Sequence, residues 1–513
     1  MPYLSKSKII AYLQCPKRLW LEMNKPDERD DSGSEAAFAI GNEVGDAACS
    51  VFDPDGNGVN VDPNKIGWDE ARSKVERLLK AGNHPIFEAL LESGQAFALA
   101  DLMLPDTRGD ELQWQMLEVK SSTSAKEYHR DDVAIQTHIA RENGVKLSQV
   151  GLAFINRDFV YPGAGNFKGL FQVEDLTNEA VHRDREVKQW IANAQEVAHQ
   201  TQEPLVEMGD HCHKPFDCVF SSYCKRLNGL EADPLKLLPG IRDERIKAWK
   251  SRGIHTLDNV PDEEINFRQR MVKNCSLQNK VYFDKAKARQ RVACADTVLY
   301  FLDFETINMA VPRWVGTRPY QQIPFQYSLH IRLPDGELHH DDFLDISGED
   351  PREALAQKLV QDCDTAGVIY AYNMGFEKRI VRELAEEFPT LSESLMKLHE
   401  RIDDLLPIVR ECYYNPSQNG SWSLKAVLPA LCPELDYSSL EDVQHGGHAM
   451  DAYREAIHPE TSPVRKKHLY ERMLAYCELD TLATVRIWEY FSNLPPPNSV
   501  FVRNQKGVVK VRR

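Results

Sequence analysis

The sequence predicts an α/β protein with more than one domain. At 513 residues the chain is long enough for two or three domains, each with its own hydrophobic core. From about residue 295 to residue 494, short apolar runs alternate with helical patterns, as they do in α/β domains. The N-terminal region combines helical patterns with a strand hairpin. We therefore expect α/β structure in both halves of the chain.

The chain divides into three parts and a tail. The first part, 1–228, contains the predicted hairpin, and the second part, 229–294, is predicted to be all helical. The third part, 295–495, carries the alternation of strands and helices. Pro495-Pro-Pro497 ends that pattern, because proline cannot continue a helix, and leaves a basic tail at 496–513.

The composition is ordinary for a globular protein, with 42% hydrophobic and 27% charged residues. The first residues contain no long apolar segment of the signal-peptide kind. No stretch of about 18 uninterrupted apolar residues occurs anywhere in the chain. We expect a cytoplasmic protein that does not cross a membrane.

The formal charge of −16 argues against a general nucleic-acid binder, because phosphate contacts require local positive charge. The charge is unevenly distributed, however. Eight Lys or Arg residues stand against the single acid Asp284 in the stretch 266–291. The tail adds further cations without an acid. Each cluster is either a solvated face or frayed end, or a site for phosphates.

A hairpin in the first part brings acids and a lysine together. Its strands are predicted at Ala96–Leu104 and Leu112–Lys120, around a turn at 105–110. Alternation puts Glu118 and Lys120 on one face, and the partner strand places Asp101 beside them. Two carboxylates can hold a divalent metal, and a nearby lysine can stabilise the charge that develops on a phosphate. Alone, a Glu-x-Lys pair is usually a surface ion pair.

Two flanking residues extend this pattern. Glu88, upstream, adds a third carboxylate, and Gln136, on the next predicted helix, can orient the metal-bound water or the DNA. The order of the motifs resembles that of PD-(D/E)XK nucleases, specifically their RecB-like branch. The resemblance implies a restriction-endonuclease-like domain with the catalytic residues Glu88, Asp101, Glu118, Lys120 and Gln136. Mg²⁺ or Mn²⁺ would then be bound by Asp101 and Glu118.

One departure concerns an early helix, where RecB-like nucleases usually carry a histidine that binds metal. In this chain Gly45 occupies the corresponding position, in the stretch Gly41-Asn-Glu-Val-Gly45-Asp46. Glu43, Asp46 and Glu88 are the possible substitutes for that ligand.

Four of the eleven cysteines form a pattern, while the other seven are scattered as buried apolar cysteines are. One is early in the chain and three are clustered late, namely Cys15, Cys212, Cys218 and Cys224. Four thiolates suit an iron-sulfur cluster or zinc, and the five-residue gaps differ from the short pairs of common zinc folds. The set resembles that of iron-sulfur RecB-like nucleases, which implies a [4Fe-4S] cluster. Zinc remains the alternative, in which His211 or His213 would also serve.

The second part contains a possible phosphate-binding motif. The stretch 238–260, beginning Leu238-Pro-Gly, resembles a helix-hairpin-helix unit, in which a Pro-Gly turn and a helix start present backbone N–H groups to a DNA phosphate. A plain helical spacer is the alternative. Because the basic stretch 266–291 follows directly, we favour a role in guiding nucleic acid.

The third part contains a split set of acids. Val298–Leu302 is predicted as a buried strand, and its two-residue period puts Asp303 and Glu305 on one face. A helix predicted at Leu474–Tyr490 puts Tyr476 and Asp480 on one face, since they are four residues apart.

Another strand, starting at Val368, leads through Asn373 to Glu377 at the start of a helix predicted at Lys378–Glu387. Four acids, Asp303, Glu305, Glu377 and Asp480, can hold two divalent ions about 4 Å apart.

The order of these motifs resembles the DnaQ-like exonucleases of the DEDDy type, which have an RNase H fold. The resemblance implies that Tyr476 positions the attacking water and that Gly420-Ser-Trp-Ser-Leu-Lys425 lies near the site. The family normally has aspartate where this chain has Glu377. Asp403 and Asp404 are the fallback ligands.

Both halves in this order are similar to bacterial proteins in which a RecB-like iron-sulfur nuclease precedes a domain of unknown function with an exonuclease-like core. We expect a metal-dependent DNA nuclease with two active sites, the C-terminal one a 3′–5′ exonuclease, acting in DNA repair or in defence against foreign DNA. The alternatives are an RNA exonuclease, a nucleic-acid-binding scaffold with decayed sites, and a cysteine cluster that senses redox state.

Overall fold

A computed structural model describes residues 3–30, 34–109, 111–227, 233–292, 296–433, 435, 437, 440, 442–493, 500–504 and 507–511. The chain forms two compact units, one comprising residues 1–231 and 309–321 and the other residues 232–308 and 322–513. Both contain helices and sheets, so the predicted α/β class is confirmed. The predicted boundaries near 228, 294 and 495 lie outside the described residues. None of the described helices is long and apolar enough to span a membrane.

The first unit is built on a mixed sheet with helices packed against it. Its strands are β1 (Leu4–Ser5), β2 (Val59–Asn60), β3 (Ile86–Ser93), β4 (Ala96–Asp106), β5 (Gln113–Lys120), β6 (Leu147–Ile155) and β7 (Phe171–Asp175). Its helices are α1 (Lys6–Gln14), α2 (Pro16–Asn24), α3 (Ser34–Phe52), α4 (Pro63–Ile66), α5 (Trp68–Ala81), α6 (Glu127–Glu142), α7 (Thr177–His182), α8 (Asp184–Ala198) and α9 (Ser221–Leu227).

Strands β2 to β7 lie in sequence order, and β1 pairs with β4 in parallel. The β3–β4 and β4–β5 pairs are antiparallel, whereas β5 and β6 run parallel. Helix α6 connects β5 to β6, as a parallel connection requires, and buries Val133, Ile135 and Ile139 in the core. The predicted hairpin corresponds to β4 and β5. The acids of the first unit therefore lie on the central strands of this sheet.

The second unit begins with helices and continues into a second mixed sheet. Its strands are β8 (Tyr282–Phe283), β9 (Val298–Ile307), β10 (Ile323–Arg332), β11 (Leu338–Leu344), β12 (Gly367–Ala371), β13 (Ile402–Asp404), β14 (Tyr413–Tyr414), β15 (Val500–Asn504) and β16 (Gly507–Val511). Its helices are α10 (Asp243–Ser251), α11 (Phe267–Gln278), α12 (Lys285–Arg291), α13 (Arg352–Asp362), α14 (Gly375–Glu387), α15 (Ser392–Arg401), α16 (Leu405–Cys412), α17 (Leu424–Leu431), α18 (Gly446–Ala456) and α19 (Pro463–Ser492).

The large sheet of this unit has the order β13-β12-β9-β10-β11-β15-β16. Strands β9, β10 and β11 form an antiparallel meander, while β12 and β13 run parallel to β9. Helix α19 packs against β9 and β10. It begins with Ser462 as N-cap and Pro463 as its first residue, an arrangement that favours a helix start. The described residues of the predicted tail form β15 and β16.

The predicted helical segment has a small core of its own, in which Ile246 and Trp249 of α10 pack with apolar residues of the neighbouring turns. The prediction of an all-helical segment misses β8, which pairs with β14.

Candidate functional site

The acids of β9 lie side by side in the second unit. Ligand atoms of Asp303, Glu305 and Cys477 all lie within 4.8 Å of one another. The pleat of β9 places both carboxylates on one face, as the two-residue period predicts. Cys477 of α19 approaches them with its thiol, which lies 3.6 Å from Asp303 Oδ2. No pattern in the sequence separates Cys477 from the scattered core cysteines, because this contact joins residues 174 positions apart.

Asp480 lies one turn after Tyr476 on α19 and is buried. Its Oδ1 accepts a hydrogen bond from the hydroxyl of Tyr437. Burial raises the pKa of Asp480, against the hydrogen bonds that it receives from Tyr437 and Tyr476. Two tyrosines therefore hold one carboxylate. Sequence reasoning missed Tyr437, since a single tyrosine between helices carries no pattern.

Glu377 enters the same centre from the first turn of α14 and is only 3% exposed. Its Oε2 is buried, and no described group donates a hydrogen bond to it. The charge of Glu377 also contributes to raising the pKa of Asp303, after burial and the charges of Asp480 and Glu305. An ionised carboxylate in this position needs a partner that the protein's described residues do not supply.

Asp403 and Asp404, the fallback ligands, accept hydrogen bonds from backbone N–H groups near α14 and α16. Asn373 adopts a left-handed conformation with φ of 77°, and its N–H donates to Asp404 Oδ1 at 2.9 Å. The same Oδ1 caps α16 by accepting from the N–H of Leu406 at 2.9 Å. Asp403 accepts from the N–H of Asp404 at 2.8 Å. Of the three candidates, Glu377 is the one whose charge acts on Asp303.

The acid cluster, defined as Asp303, Glu305, Glu377 and Asp480, has unusual electrostatics. Burial raises the pKa of Glu377 to about 8, and burial together with Asp480 raises that of Glu305 to about 8. Burial and the other acids raise the pKa of Asp303 well above its ordinary range. Buried acids that repel one another are typical of a site that binds cations.

A lysine among the described residues faces this cluster. Lys425, at the start of α17, interacts electrostatically with Asp480 and Glu305, although burial lowers its pKa. Its Nζ lies 5.2 Å from the ring centroid of Tyr476. The predicted Ser-Leu-Lys helix start therefore lies beside the acids. Glu305 also approaches α18, because a Cβ atom on Gly446 would lie 3.6 Å from Glu305 Oε2.

In the first unit, the predicted acids form a row across neighbouring strands. The β3–β4 register, with Phe87 opposite Leu102 and Ala89 opposite Ala100, places Glu88 across from Asp101. The β4–β5 register places Asp101 across from Glu118. Glu88 has a φ of 55°, which is rare for a residue with a side chain and is commonest near functional sites.

Glu118 is the most heavily bonded acid of this row and is 3% exposed. Its Oε1 accepts from Lys6 at 2.8 Å and from Lys120 at 2.5 Å, and its Oε2 accepts from the amide of Gln136. Lys120 also contacts Asp132 Oδ2 at 2.6 Å, and Lys6 lies 3.3 Å from Asp132 Oδ1. The structure thus brings together Glu118, Lys120 and Gln136, as predicted, and adds two further residues.

Those two residues differ in how visible they are in the sequence. Asp132 precedes Gln136 by four residues on α6, so helical spacing would place both on the face that carries Glu118. Lys6 lies 112 residues before Glu118, and no local pattern links them.

The acids of this row differ in the direction of their pKa shifts. Although burial opposes ionisation of Glu118, Lys120 and Lys6 hold its pKa below its ordinary value. Burial and the nearby charge of Glu118 raise the pKa of Asp101 well above its ordinary value. Burial also raises the pKa of Glu88. Lys6, Lys120 and the N–H of Val119, which donates to Asp101 Oδ2 at 2.7 Å, offset only part of the effect on Asp101, and a divalent ion beside Asp101 would offset more of it.

The space around Gly45, the position where RecB-like nucleases usually carry a histidine, is not filled by other atoms. A Cβ atom on Gly45 would have no neighbour within 4 Å. Cys49 lies one turn later on α3. Burial, followed by the negative charges of Asp46, Glu88 and Asp101, raises its pKa to about 11. Of the possible substitutes, Glu88 lies in the row itself.

The four patterned cysteines come together and are reduced. Cys15 lies between α1 and α2, and Cys224 lies on α9. Burial raises the pKa of Cys218, and the nearby thiolates of Cys15 and Cys212 raise it further. Gln14 ties the two regions by donating to the carbonyls of His211 and Phe216 at 2.9 and 2.6 Å.

The spacing of these thiols bears on the bound group. Sulfurs around one zinc lie roughly 3.8 Å apart, given a Zn–S distance of about 2.3 Å. Among the described residues, only the group of Asp303, Glu305 and Cys477 brings three potential ligands within 4.8 Å. The four thiols offer a donor set that suits either zinc or an iron-sulfur cluster. His213 is paired with Asp217 at 2.6 Å at the surface.

Several cations of the basic stretch serve the fold. Lys273 is buried and donates to the carbonyl of Val260 at 2.6 Å and to Asp262 at 2.8 Å. Lys287 and Arg291 both pair with Glu411. These contacts reduce the positive charge that the stretch can offer to a ligand.

Arg268 remains available in a cavity of about 830 Å³, which it lines together with the Pro239-Gly240 turn, Asn373 and Arg410. This cavity links the helix-hairpin-helix-like turn to the loop that precedes Glu377.

A family described as a domain of unknown function (DUF2779) matches residues 300–423. The matched segment begins in β9 and ends just before α17, so it includes Asp303, Glu305 and Glu377 but not Tyr476 or Asp480. No curated protein matches the chain.

Proposed function

We propose that this protein is a metal-dependent nuclease and that the acid cluster of the second unit is its principal active site. The grouping of three buried carboxylates with the half-buried Asp303, all with raised pKa values, and the unpartnered oxygen on Glu377 carry this proposal. Oxygen ligands of this kind suit Mg²⁺ or Mn²⁺. The resemblance to DEDDy exonucleases supports a 3′–5′ exonuclease.

Bound in this cluster, two divalent ions would activate a water molecule and neutralise charge on the phosphate and the leaving oxygen. The four carboxylates would hold them from three elements, namely β9, α14 and α19. Burial and Asp480 raise the pKa of the Tyr476 hydroxyl, so it stays protonated and can donate a hydrogen bond to the attacking water or to the phosphate. Lys425 would orient the phosphate through its positive charge.

The row in the first unit supports a second nuclease site of the RecB-like kind. Its supporting observation is the contact of Lys120 with Glu118 and Asp132. These acids outweigh the effect of burial and raise the pKa of Lys120, so the ammonium stays charged and can stabilise a developing phosphate charge. Asp101 and Glu118 would hold Mg²⁺ or Mn²⁺ there, with Glu88 as a third carboxylate and Gln136 fixing the orientation of Glu118.

We further propose that Cys15, Cys212, Cys218 and Cys224 hold a [4Fe-4S] cluster. The four-thiol donor set and the five-residue gaps between its three late cysteines in the sequence support this assignment. A cluster in this position would join the α1–α2 corner to the segment that precedes α9, and so would act as a crosslink within the first unit.

The test is digestion of end-labelled single-stranded DNA, double-stranded DNA and RNA with Mg²⁺ or Mn²⁺. The wild type is compared with Asp303→Asn, with Lys120→Ala and with the double variant. Exposed residues supply the matched controls, Glu400→Gln in the second unit and Lys168→Ala in the first.

We expect each site variant to lose one set of products and the double variant to lose all digestion, with DNA cut in preference to RNA. A double variant that digests as well as the wild type would leave only nucleic-acid binding. Preference for RNA would reassign the substrate while keeping the chemistry.

A further inference from the structure

A pocket of about 520 Å³ lies in the first unit, directly beyond the C-terminal end of β5. Its cations are Lys120, Lys126 and Arg157, and residues 121–124 contribute four consecutive hydroxyl side chains. None of the described residues that line it is acidic. The composition suits an anion with several oxygen atoms and does not suit an apolar ligand.

The three cations are not equivalent. Lys120 stays a cation, but its charge is balanced by ion pairs with Glu118 and Asp132. Lys126 and Arg157 are exposed, and within the described ranges no carboxylate pairs with either of them. The pocket therefore carries about two uncompensated positive charges, which attract a phosphate.

His129 adds a fixed donor to the wall of the pocket. Its Nδ1 accepts a hydrogen bond from the N–H of Lys126 at 3.2 Å. Burial, followed by the charges of Lys120 and Lys126, lowers the pKa of His129 to about 4, so the ring is neutral near pH 7. A neutral ring that accepts at Nδ1 carries its proton on Nε2, which is then a donor.

The opposite wall comes from the segment 309–321, which belongs to the first unit. The hydroxyl of Tyr320 donates to the carbonyl of Ser121. Tyr320 has a φ of 59°, an unfavourable conformation for a bulky residue that its surroundings must maintain. Its N–H donates to Met309 at 2.7 Å, and Ser122 accepts from the N–H of Ile155 at 2.9 Å. Hydrogen bonds therefore fix both Tyr320 and the 121–124 segment, which form two walls of the pocket.

We infer that this pocket binds a phosphate group of the nucleic-acid strand that the neighbouring Glu118–Lys120 centre cleaves. The inference rests on the proposed function for its choice of strand, while the anion chemistry stands on the pocket alone. Lys120 belongs to both the pocket and the catalytic row, so a phosphate held there would fix the register of the strand relative to the acids. The phosphate is either internal to the strand or terminal.

The test measures binding without cleavage, by fluorescence anisotropy of a labelled single-stranded oligonucleotide in EDTA. The variant combines Lys126→Ala with Arg157→Ala. Its control combines Arg185→Ala with Lys188→Ala, an exposed arginine and lysine on α8 that form no ion pair with the described residues. We expect the pocket variant to bind at least about tenfold more weakly and to lose about 1.4 from the slope of log K against log salt. Equal binding by the wild type and the pocket variant, or an equal loss in the α8 control, would overturn the inference.

Two further experiments distinguish a terminal from an internal phosphate, and distinguish failure of this inference from failure of the proposed function. A loss of affinity confined to 5′-phosphorylated oligonucleotides assigns a terminal phosphate, whereas an equal loss of affinity for 5′-hydroxyl oligonucleotides assigns an internal one.

Pyrophosphate binding is measured by calorimetry. If the wild type binds pyrophosphate but no oligonucleotide, and the pocket variant binds neither, the anion pocket stands and the nuclease proposal fails. If the wild type cleaves DNA and pyrophosphate binding does not depend on Lys126 and Arg157, the pocket is rejected and the nuclease stands.

Discussion

The thiol of Cys477 lies 3.6 Å from Oδ2 of Asp303, inside a cluster of carboxylates that suits hard cations. Burial and Asp303 raise the pKa of Cys477 well above its ordinary value, so the thiol is protonated while no cation is bound. A soft ion such as Zn²⁺ or Cd²⁺ would displace that proton and bind the thiolate. The site therefore combines ligands of opposite metal preference.

We predict that Zn²⁺ and Cd²⁺ inhibit digestion at this site and that Cys477→Ser weakens the inhibition. The inhibitory concentration should rise about tenfold, because the serine oxygen is a poor ligand for soft ions. Activity with Mg²⁺ should change little. Inhibition curves for the wild type, Cys477→Ser and the buried control Cys363→Ser supply the measurement. An unchanged inhibitory concentration in Cys477→Ser would mean that the thiol does not bind the ion.

The stability of the metal-free protein should fall as pH rises. Glu377 has a pKa of about 8 in the folded chain against an ordinary value of 4.5, so the folded state binds more protons between these values. Its favourable contribution is complete below pH 4.5 and is lost as pH rises through about 8. From pH 6 to pH 8 the loss from this group is about 2 kcal/mol.

Chemical unfolding in EDTA at the two pH values, for wild type and Glu377→Gln, measures this loss. The variant should lose less stability than the wild type, because its side chain does not ionise. Added Mg²⁺ should stabilise the wild type more at pH 8 than at pH 6. Equal pH dependence of the two proteins would show that Glu377 titrates normally.

The two tyrosines that hold Asp480 should have separable effects. Tyr476→Phe removes a donor for the attacking water or the phosphate, so kcat should fall about 10²-fold at unchanged metal requirement. Tyr437→Phe instead frees a lone pair on Asp480 and loosens its orientation. The Mg²⁺ concentration for half-maximal rate should therefore shift severalfold, with a smaller effect on kcat. Metal titrations of the initial rate test both expectations, which fail if the two variants behave alike.

The structure also shows which parts of the site the sequence can predict. Asp303 and Glu305 follow from the period of a strand, and Tyr476 and Asp480 follow from the period of a helix, because their geometry is local. Tyr437 and Lys6 could not be predicted, since each reaches its acid from a distant segment. Charge counting over 266–291 misleads in the same way, because buried Lys273 serves the helical core and not a ligand.

In the first unit, we predict opposite consequences for the two lysines that bind Glu118. Lys120→Met should abolish cleavage at this site, with a fall of at least about 10²-fold, because the ammonium that would stabilise the developing phosphate charge is lost. Lys6→Met leaves Lys120 in place but removes one of two cations from the buried pair Glu118 and Asp132. It should lower the free energy of unfolding by about 3 kcal/mol. Urea unfolding and single-turnover cleavage, measured on both variants, distinguish catalysis from stability, and equal stability losses would contradict the division.

The four cysteines should bind iron, and losing one should destabilise the first unit. Their thiols join the α1–α2 corner to residues about 200 positions later, as the contact between Gln14 and Lys214 indicates, so a cluster there closes a long loop. Closing a loop of this length restricts the unfolded chain and stabilises the fold by several kcal/mol.

Anaerobically purified protein should be brown and contain about four irons per chain. Cys224→Ser should lose the colour and lower Tm, whereas Cys275→Ser, at a buried cysteine of the second unit, should keep the iron. One zinc per chain in place of iron would identify the alternative ion, and unchanged cleavage after reduction of the cluster would assign it a structural and not a sensing role.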